Sequence, residues 1–105
     1  MNDGKNKDTI AICINPNDNV ATLMSKAFVG TQIVIKHKDG NSFKKLMAEE
    51  IIQTGHKIAI HRIPKGEVVI KYGEIIGRAT QLITKGGYVH VHNLESLRGR
   101  GDLND

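Results

Sequence analysis

Apolar residues along this chain fall into short runs, each ended by a cluster of glycine, asparagine, aspartate or proline, and this pattern predicts strands joined by turns. Thr9-Ile10-Ala11-Ile12-Cys13-Ile14 reads as a first strand, and Asn15-Pro16-Asn17-Asp18-Asn19 as the turn that closes it. Residues 20–27 have no clear period, and Asp18 or Asn19 would cap a short helical turn there. Gln32–His37 alternates as a strand. Lys38-Asp39-Gly40-Asn41-Ser42 follows as a hairpin turn, and Phe43–Leu46 pairs back. Ala48–Gln53 is open between a short helical turn and an irregular crossing before Gly55.

The second half repeats itself. Ala59-Ile60-His61-Arg62-Ile63-Pro64-Lys65-Gly66-Glu67-Val68-Val69 aligns with Ala79-Thr80-Gln81-Leu82-Ile83-Thr84-Lys85-Gly86-Gly87-Tyr88-Val89, twenty residues later, and a looser echo lies around Lys26–Ile35. Each copy reads as strand, Lys-Gly turn, strand, because glycine tolerates the positive φ at which a chain reverses. Two clear copies are too few for a solenoid and predict pseudo-symmetric hairpins around one small β core. Between them, Val68–Gly77 holds two apolar strands around a tight turn.

Gly86-Gly87-Tyr88-Val89-His90-Val91-His92-Asn93 carries the most pointed chemistry. Read as a strand, it puts Tyr88, His90 and His92 on one face and Val89 and Val91 on the other. Two adjacent neutral imidazoles can share one divalent metal, but two ligands do not make a site, so a third group must come from elsewhere in the fold, a partner or a substrate. The expected organisation is a loose N-terminus over residues 1–8, one folded domain over 9–93, and a polar linker or docking tail over 94–105.

Composition narrows the classes. A chain of 105 residues, 25% charged and 39% hydrophobic, is one small soluble domain. At 4% aromatic and without tryptophan, its core must rest on aliphatic side chains. Cys13 stands alone, which excludes an internal disulfide, and it reads as a buried inert thiol. No apolar run is long enough to span a bilayer and no signal-peptide pattern precedes the domain, so no membrane partner is expected and the default location is cytoplasmic. The net charge of +4 is spread along the chain and stacking aromatics are scarce. The charge therefore suits a small anionic substrate better than nucleic acid.

Four segments standing in order carry a family resemblance: Gly55-His56-Lys57-Ile58-Ala59-Ile60, Ile63-Pro64-Lys65-Gly66-Glu67, Ile70-Lys71-Tyr72-Gly73-Glu74-Ile75-Ile76-Gly77, and Gly86–Asn93. Together they resemble the N-terminal SAF-type (β-clip) domain of the altronate dehydratase family, which also includes galactarate dehydratase and the small subunit of sulfolactate sulfo-lyase. The resemblance covers roughly Asp18–Asp102. It implies a mostly β, clip-like fold. It also implies a role in dehydrating a sugar acid: a proton leaves C2, hydroxide leaves C3, and the enol becomes a 2-keto-3-deoxy acid. The sulfo-lyase branch expels sulfite instead. The His-x-His-Asn segment resembles the altronate branch. The implied cofactor is a divalent metal, iron(II) first and manganese or zinc otherwise. The implied partner is a large catalytic subunit, or the C-terminal region of the same enzyme.

On that reading His90 and His92 are the candidate metal ligands, with His56 as a third participant and Glu95 as a weaker one. His56, Lys57 and Arg78 are the candidate substrate contacts. His37 and His61 read as surface residues, Tyr72 and Tyr88 as core or rim packing, and Arg100-Gly101-Asp102 as a coincidental match to an adhesion motif. The isolated chain is expected to be inactive, with homo-oligomer formation open. The alternatives are the sulfolactate sulfo-lyase small subunit, a non-catalytic carbohydrate-binding module, and an assembly subunit that docks through its tail.

Overall fold

The computed structural model describes residues 9–97, and all regular structure among them is strand. The expected loose N-terminus, most of the expected tail and the Arg100-Gly101-Asp102 tripeptide lie outside the described residues. A six-stranded sheet combines β1 (Thr9–Cys13), β2 (Val20–Leu23), β3 (Gln32–His37), β4 (Ser42–Met47), β5 (Lys57–Ala59) and β8 (Tyr88–Val89) in the order β4-β3-β1-β2-β5-β8. A three-stranded sheet orders β6 (Val68–Lys71), β7 (Glu74–Ala79) and β9 (Leu94–Ser96) as β6-β7-β9. Among the described residues, β1–β3 is the one parallel strand pair.

The repeat is fourfold, and its unit is an apolar residue followed three positions later by glycine. Ala27/Gly30, Ile52/Gly55, Ile63/Gly66 and Ile83/Gly86 each build the same turn, with glycine φ between 84° and 91°. In each, the residue after the glycine donates back across the turn: Thr31 to Phe28, His56 to Gln53, Glu67 to Pro64, and Gly87 to Thr84. Positive φ at the third position of such a turn defines type II and selects glycine. The units clasp in pairs. Ala27 and Ile52 exchange both backbone hydrogen bonds, as do Ile63 and Ile83. Each glycine N–H also reaches across to its partner's incoming strand: Gly30 to Ala48, Gly55 to Leu23, Gly66 to Ala79, and Gly86 to Ala59. The expected two hairpins are half of this arrangement. Gln53-Thr54-Gly55-His56 is the copy that sequence comparison passes over, and like Phe28-Val29-Gly30-Thr31 it has no lysine before its glycine.

Two hydrophobic clusters follow from the two clasps. Ala11, Cys13, Leu23, Ile33, Ile35, Ile52, Ile58 and their neighbours fill the first, and Val20, Ala59, Ile63, Val69, Ala79, Ile83 and Val89 fill the second. Cys13 is buried as expected, and burial pushes its thiol pKa up.

Several local expectations are corrected. Asp18 and Asn19 do not cap a helical turn; they are buried and bind the β6–β7 hairpin to the loop before β2. Asp18 accepts the N–H groups of Asn15, Tyr72 and Gly73. Asn19 receives the Ile70 N–H and donates from Nδ2 to Val68. This carboxylate satisfies the amides of the Tyr72-Gly73 turn, where both residues have positive φ, 58° and 76°. Tyr72 is therefore exposed at the turn rather than packed in the core. The domain also continues past Asn93, because Leu94–Ser96 joins the second sheet through β7.

The clasp predicts unequal glycine tolerances. A Cβ on Gly86 would stand 2.1 Å from the Met47 carbonyl oxygen, whereas a Cβ on Gly40, also at positive φ, meets nothing within 4 Å. Gly40→Ala should cost only backbone strain, about 1–2 kcal/mol. Gly86→Ala adds a backbone clash to that strain and should lower the denaturation midpoint at least twice as far. Denaturant melts of the two variants measure the difference.

Candidate functional site

The site forms where the two clasps meet. β5 starts two residues after Gly55 of one clasp, and its last residue, Ala59, exchanges backbone hydrogen bonds with Gly86 and Gly87 of the other. β5 therefore lies beside β8, with Lys57 opposite Val89 and Ile58 opposite Tyr88. His56, at the mouth of β5, is brought against Tyr88: its Nδ1 and the Tyr88 hydroxyl are hydrogen-bonded at 2.7 Å.

Four rings gather around that contact. Tyr88 and His90 stack with centroids 5.3 Å apart and planes 11° from parallel. Tyr88 and His92 are 5.3 Å apart, tilted by 43°. His56 lies 4.9 Å from His90 and 5.6 Å from Tyr88. His56, Tyr88 and His90 are half-buried and His92 is exposed. His56 thus lies against His90 and Tyr88, and His92 joins the group through Tyr88, a residue that the sequence assigns to packing.

The route to this arrangement differs from the expected one. The strand ends at Val89, and residues 90–93 turn. Val91, expected on the same face as the buried Val89, is 79% exposed. The cause is Asn93, which is buried. Its Oδ1 accepts the His90 N–H, its Nδ2 donates to the Tyr88 carbonyl, and its own N–H donates to the His90 carbonyl. An asparagine side chain that bonds nearby backbone in this way competes with strand extension. The Tyr88 N–H is held from the other side by Glu50 Oε2 at 3.0 Å.

The remaining sequence candidates divide. Lys57 is half-buried on β5, and burial first, then the charge of Lys71, pulls its pKa below the ordinary lysine value. Arg78 is exposed on β7, in register with Glu95 on β9, so both belong to the second sheet and not to the ring cluster. His61 is exposed, with Nδ1 near the Arg62 carbonyl, and His37 stacks on Phe43 at 4.2 Å. Among the described residues, no three or more His, Cys, Asp or Glu side chains stand together as a metal-holding group. The imidazoles here do not complete a coordination set, and one His56 nitrogen is already engaged by Tyr88.

Paired type II turns, two small sheets and an imidazole-rich face at their junction define a small all-β clip domain. Among the described residues, no helix is long and apolar enough to cross a membrane. A family model described as the altronate/galactarate dehydratase SAF domain matches residues 9–97, the full described span. The chain is 46% identical over 50 residues to the (2R)-sulfolactate sulfo-lyase subunit alpha of Chromohalobacter salexigens, covering 48% of this chain and 53% of that protein. Against the same subunit of Paracoccus pantotrophus, identity is 41% over 58 residues, covering 55% of this chain and 87% of the relative. Against the altronate dehydratase of Escherichia coli it is 35% over 101 residues, covering 90% of this chain and 19% of the enzyme. The chain thus spans about half of the first relative and about a fifth of the last. It belongs to the altronate/galactarate dehydratase SAF domain family.

Two predictions follow from the site. Asn93→Ala removes a buried acceptor and donor, at about 1–3 kcal/mol for the groups left unsatisfied. Amide hydrogen exchange should quicken first at His90, and thermal stability should fall. For His90, burial first, then the charges of His56, Lys57 and His92, holds its pKa below the ordinary histidine value. A folded-state pKa below the unfolded one gives stability that is present above about pH 6.5 and lost as pH falls through the lower folded value. An NMR titration should place the His90 midpoint below about 6.5. The midpoint should rise in Lys57→Gln; an unchanged midpoint would remove Lys57 from the His90 environment.

Proposed function

We propose that this chain is the SAF component, as a small subunit or an N-terminal domain, of an altronate-type sugar-acid dehydratase located in the cytoplasm. The observation that carries this reading is the family match across residues 9–97, whose most chemically equipped surface is the His56-Tyr88-His90-His92 face. Dehydration of a sugar acid needs a base for the C2 proton and an acid for the C3 hydroxyl. This face offers imidazoles and a phenol, but too few groups for a whole active site. It therefore faces a larger catalytic part, either a separate subunit or the rest of the same chain. That larger part would hold the divalent iron implied by the family resemblance, because the imidazoles here do not form a ligand set alone. The metal's chemistry there would be Lewis-acid stabilisation of the enediolate.

A second reading is the small subunit of a sulfolactate sulfo-lyase. It is favoured by the higher identities, 46% and 41%, to relatives named as subunit alpha. Turnover of a panel of aldonic and aldaric acids, together with sulfite release from sulfolactate, separates the two when the chain is mixed with its large subunit. Altronate should be dehydrated. His56→Ala and His90→Ala should each lower kcat/KM at least tenfold while the complex still assembles. Sulfite release in place of dehydration would select the second reading. Full turnover in both variants would reduce the chain to a docking module.

A further inference from the structure

We propose that Tyr88 is a positioning residue. Its hydroxyl donates to His56 Nδ1 and so holds His56 as the tautomer that presents an Nε2–H, a hydrogen-bond donor to a substrate oxygen rather than a base or a metal ligand. The role rests on the dehydratase reading for the reaction it serves, whereas the hydrogen bond stands without it.

Strand register brings the two groups together. Ile58 of β5 is opposite Tyr88 of β8. His56, two residues before Ile58, comes up on the same face and is the diagonal neighbour of Tyr88. Diagonal neighbours stand about 7–8 Å apart, within reach of an aromatic side chain. The tyrosine spans that gap, and its hydroxyl ends 2.7 Å from Nδ1.

Tyr88 is itself held from three sides. Its N–H donates to Glu50 Oε2 at 3.0 Å and its carbonyl accepts from Asn93 Nδ2 at 2.8 Å. Its ring lies along His90, with 11° between the planes. Residue and ring are fixed before any ligand arrives, and the hydroxyl stays at His56. His90 and His92 meet Tyr88 through ring contacts. The phenol therefore sets the tautomer of His56 and of neither neighbour.

The length of the bond indicates its direction. Hydroxyl donors give separations of about 2.7–2.8 Å to oxygen, and N–H donors about 2.9–3.0 Å. At 2.7 Å the contact matches a hydroxyl donor, with Nδ1 as the acceptor. A neutral imidazole carries one proton, so accepting at Nδ1 leaves that proton on Nε2. A histidine that ligates a metal has the converse arrangement, its second ring nitrogen donating an N–H to an acceptor.

The test uses the 15N-labelled full chain at about pH 8.5, above the ordinary histidine pKa of about 6.5. Two-bond NMR correlations from the ring C–H protons show which His56 nitrogen is protonated. Nε2 should carry the proton. The Nδ1 resonance should shift in Tyr88→Phe, which keeps the ring and removes the donor. A proton on Nδ1 in the wild-type chain would overturn the proposal, and this spectrum decides even where the variant fails to fold. An unshifted Nδ1 in the folded variant would overturn it as well. With the large subunit and altronate, Tyr88→Phe should lower kcat/KM at least fivefold while the complex still assembles; unchanged kcat/KM would remove the positioning role. A wild-type complex that does not dehydrate altronate would remove the dehydratase reading and leave the hydrogen bond to the two spectra. Turnover by a chain whose Nδ1 is protonated would keep that reading and overturn the proposal.

Discussion

The reciprocal backbone clasp is the constraint on which the rest of this fold depends. Each clasp carries six hydrogen bonds between strands that are distant in sequence: two at the bridging pair, two from the glycine amides, and two returned by Leu23 and Ala48 or by Ala59 and Ala79. Every one is backbone to backbone, so the side chains around the glycine are free to vary. Position two of the turn unit is Phe28, Gln53, Pro64 and Thr84 in the four copies. Only glycine, which meets the left-handed φ without strain, and the small or branched apolar residue at the bridge are held in common. A net value of about 0.5–1.5 kcal/mol per bond is modest. Leaving several such groups buried without partners would cost more, which makes the clasp all-or-none.

The same constraint places the chemistry. β5 is the segment common to both clasps: it leaves Gly55 of the first and is gripped at Ala59 by the second. His56 and Tyr88 are thus set by glycines thirty-one residues apart in sequence, Gly55 and Gly86, and meet because the two turns share one strand. The Asp18–Asn19 pair does comparable work just before β2. A buried carboxylate is costly unless its oxygens are occupied, and three backbone N–H groups occupy these. The second sheet is thereby tied to the first through polar contacts beside its aliphatic packing.

Much of this was legible in the residues. Gln32–His37 is a strand with the expected ends, Lys38–Asn41 turns as its Asp-Gly requires, and Ile63-Pro64-Lys65-Gly66 and Ile83-Thr84-Lys85-Gly86 are equivalent. The family and its clip-like fold were readable from the four ordered segments. The failures share a cause. Asp18, Asn19 and Asn93 are polar residues whose local roles, capping or ending a strand, are all that spacing can weigh. Asp18 and Asn19 bond backbone groups of Tyr72, Val68 and Ile70 that only the tertiary fold brings near, and Asn93 bonds the backbone of its own turn at Tyr88 and His90. Period-two alternation carried Val89 into Val91 on paper, and one buried asparagine broke it. Residues 52–55 share only the apolar residue and the glycine with the copies at 63–66 and 83–86, too little for sequence comparison to find, yet these two are all that the geometry selects.

The histidines differ in how firmly they are held, and that gradient bears on what the face can do. His56 is anchored at a strand start with one nitrogen bonded to Tyr88, His90 stacks on Tyr88 from a pinned turn, and His92 stands exposed at its far end. A site that acted alone would enclose its reactive groups, since excluding water strengthens every electrostatic contact inside. Here enclosure falls away from His56 outward to His92. The inner groups have the rigidity to orient a ligand, and the outer ones lie open to a second surface. On the proposed reading, a face ordered on one side and open on the other is half of a site, and the other half would supply both the cover and the remaining acid–base groups.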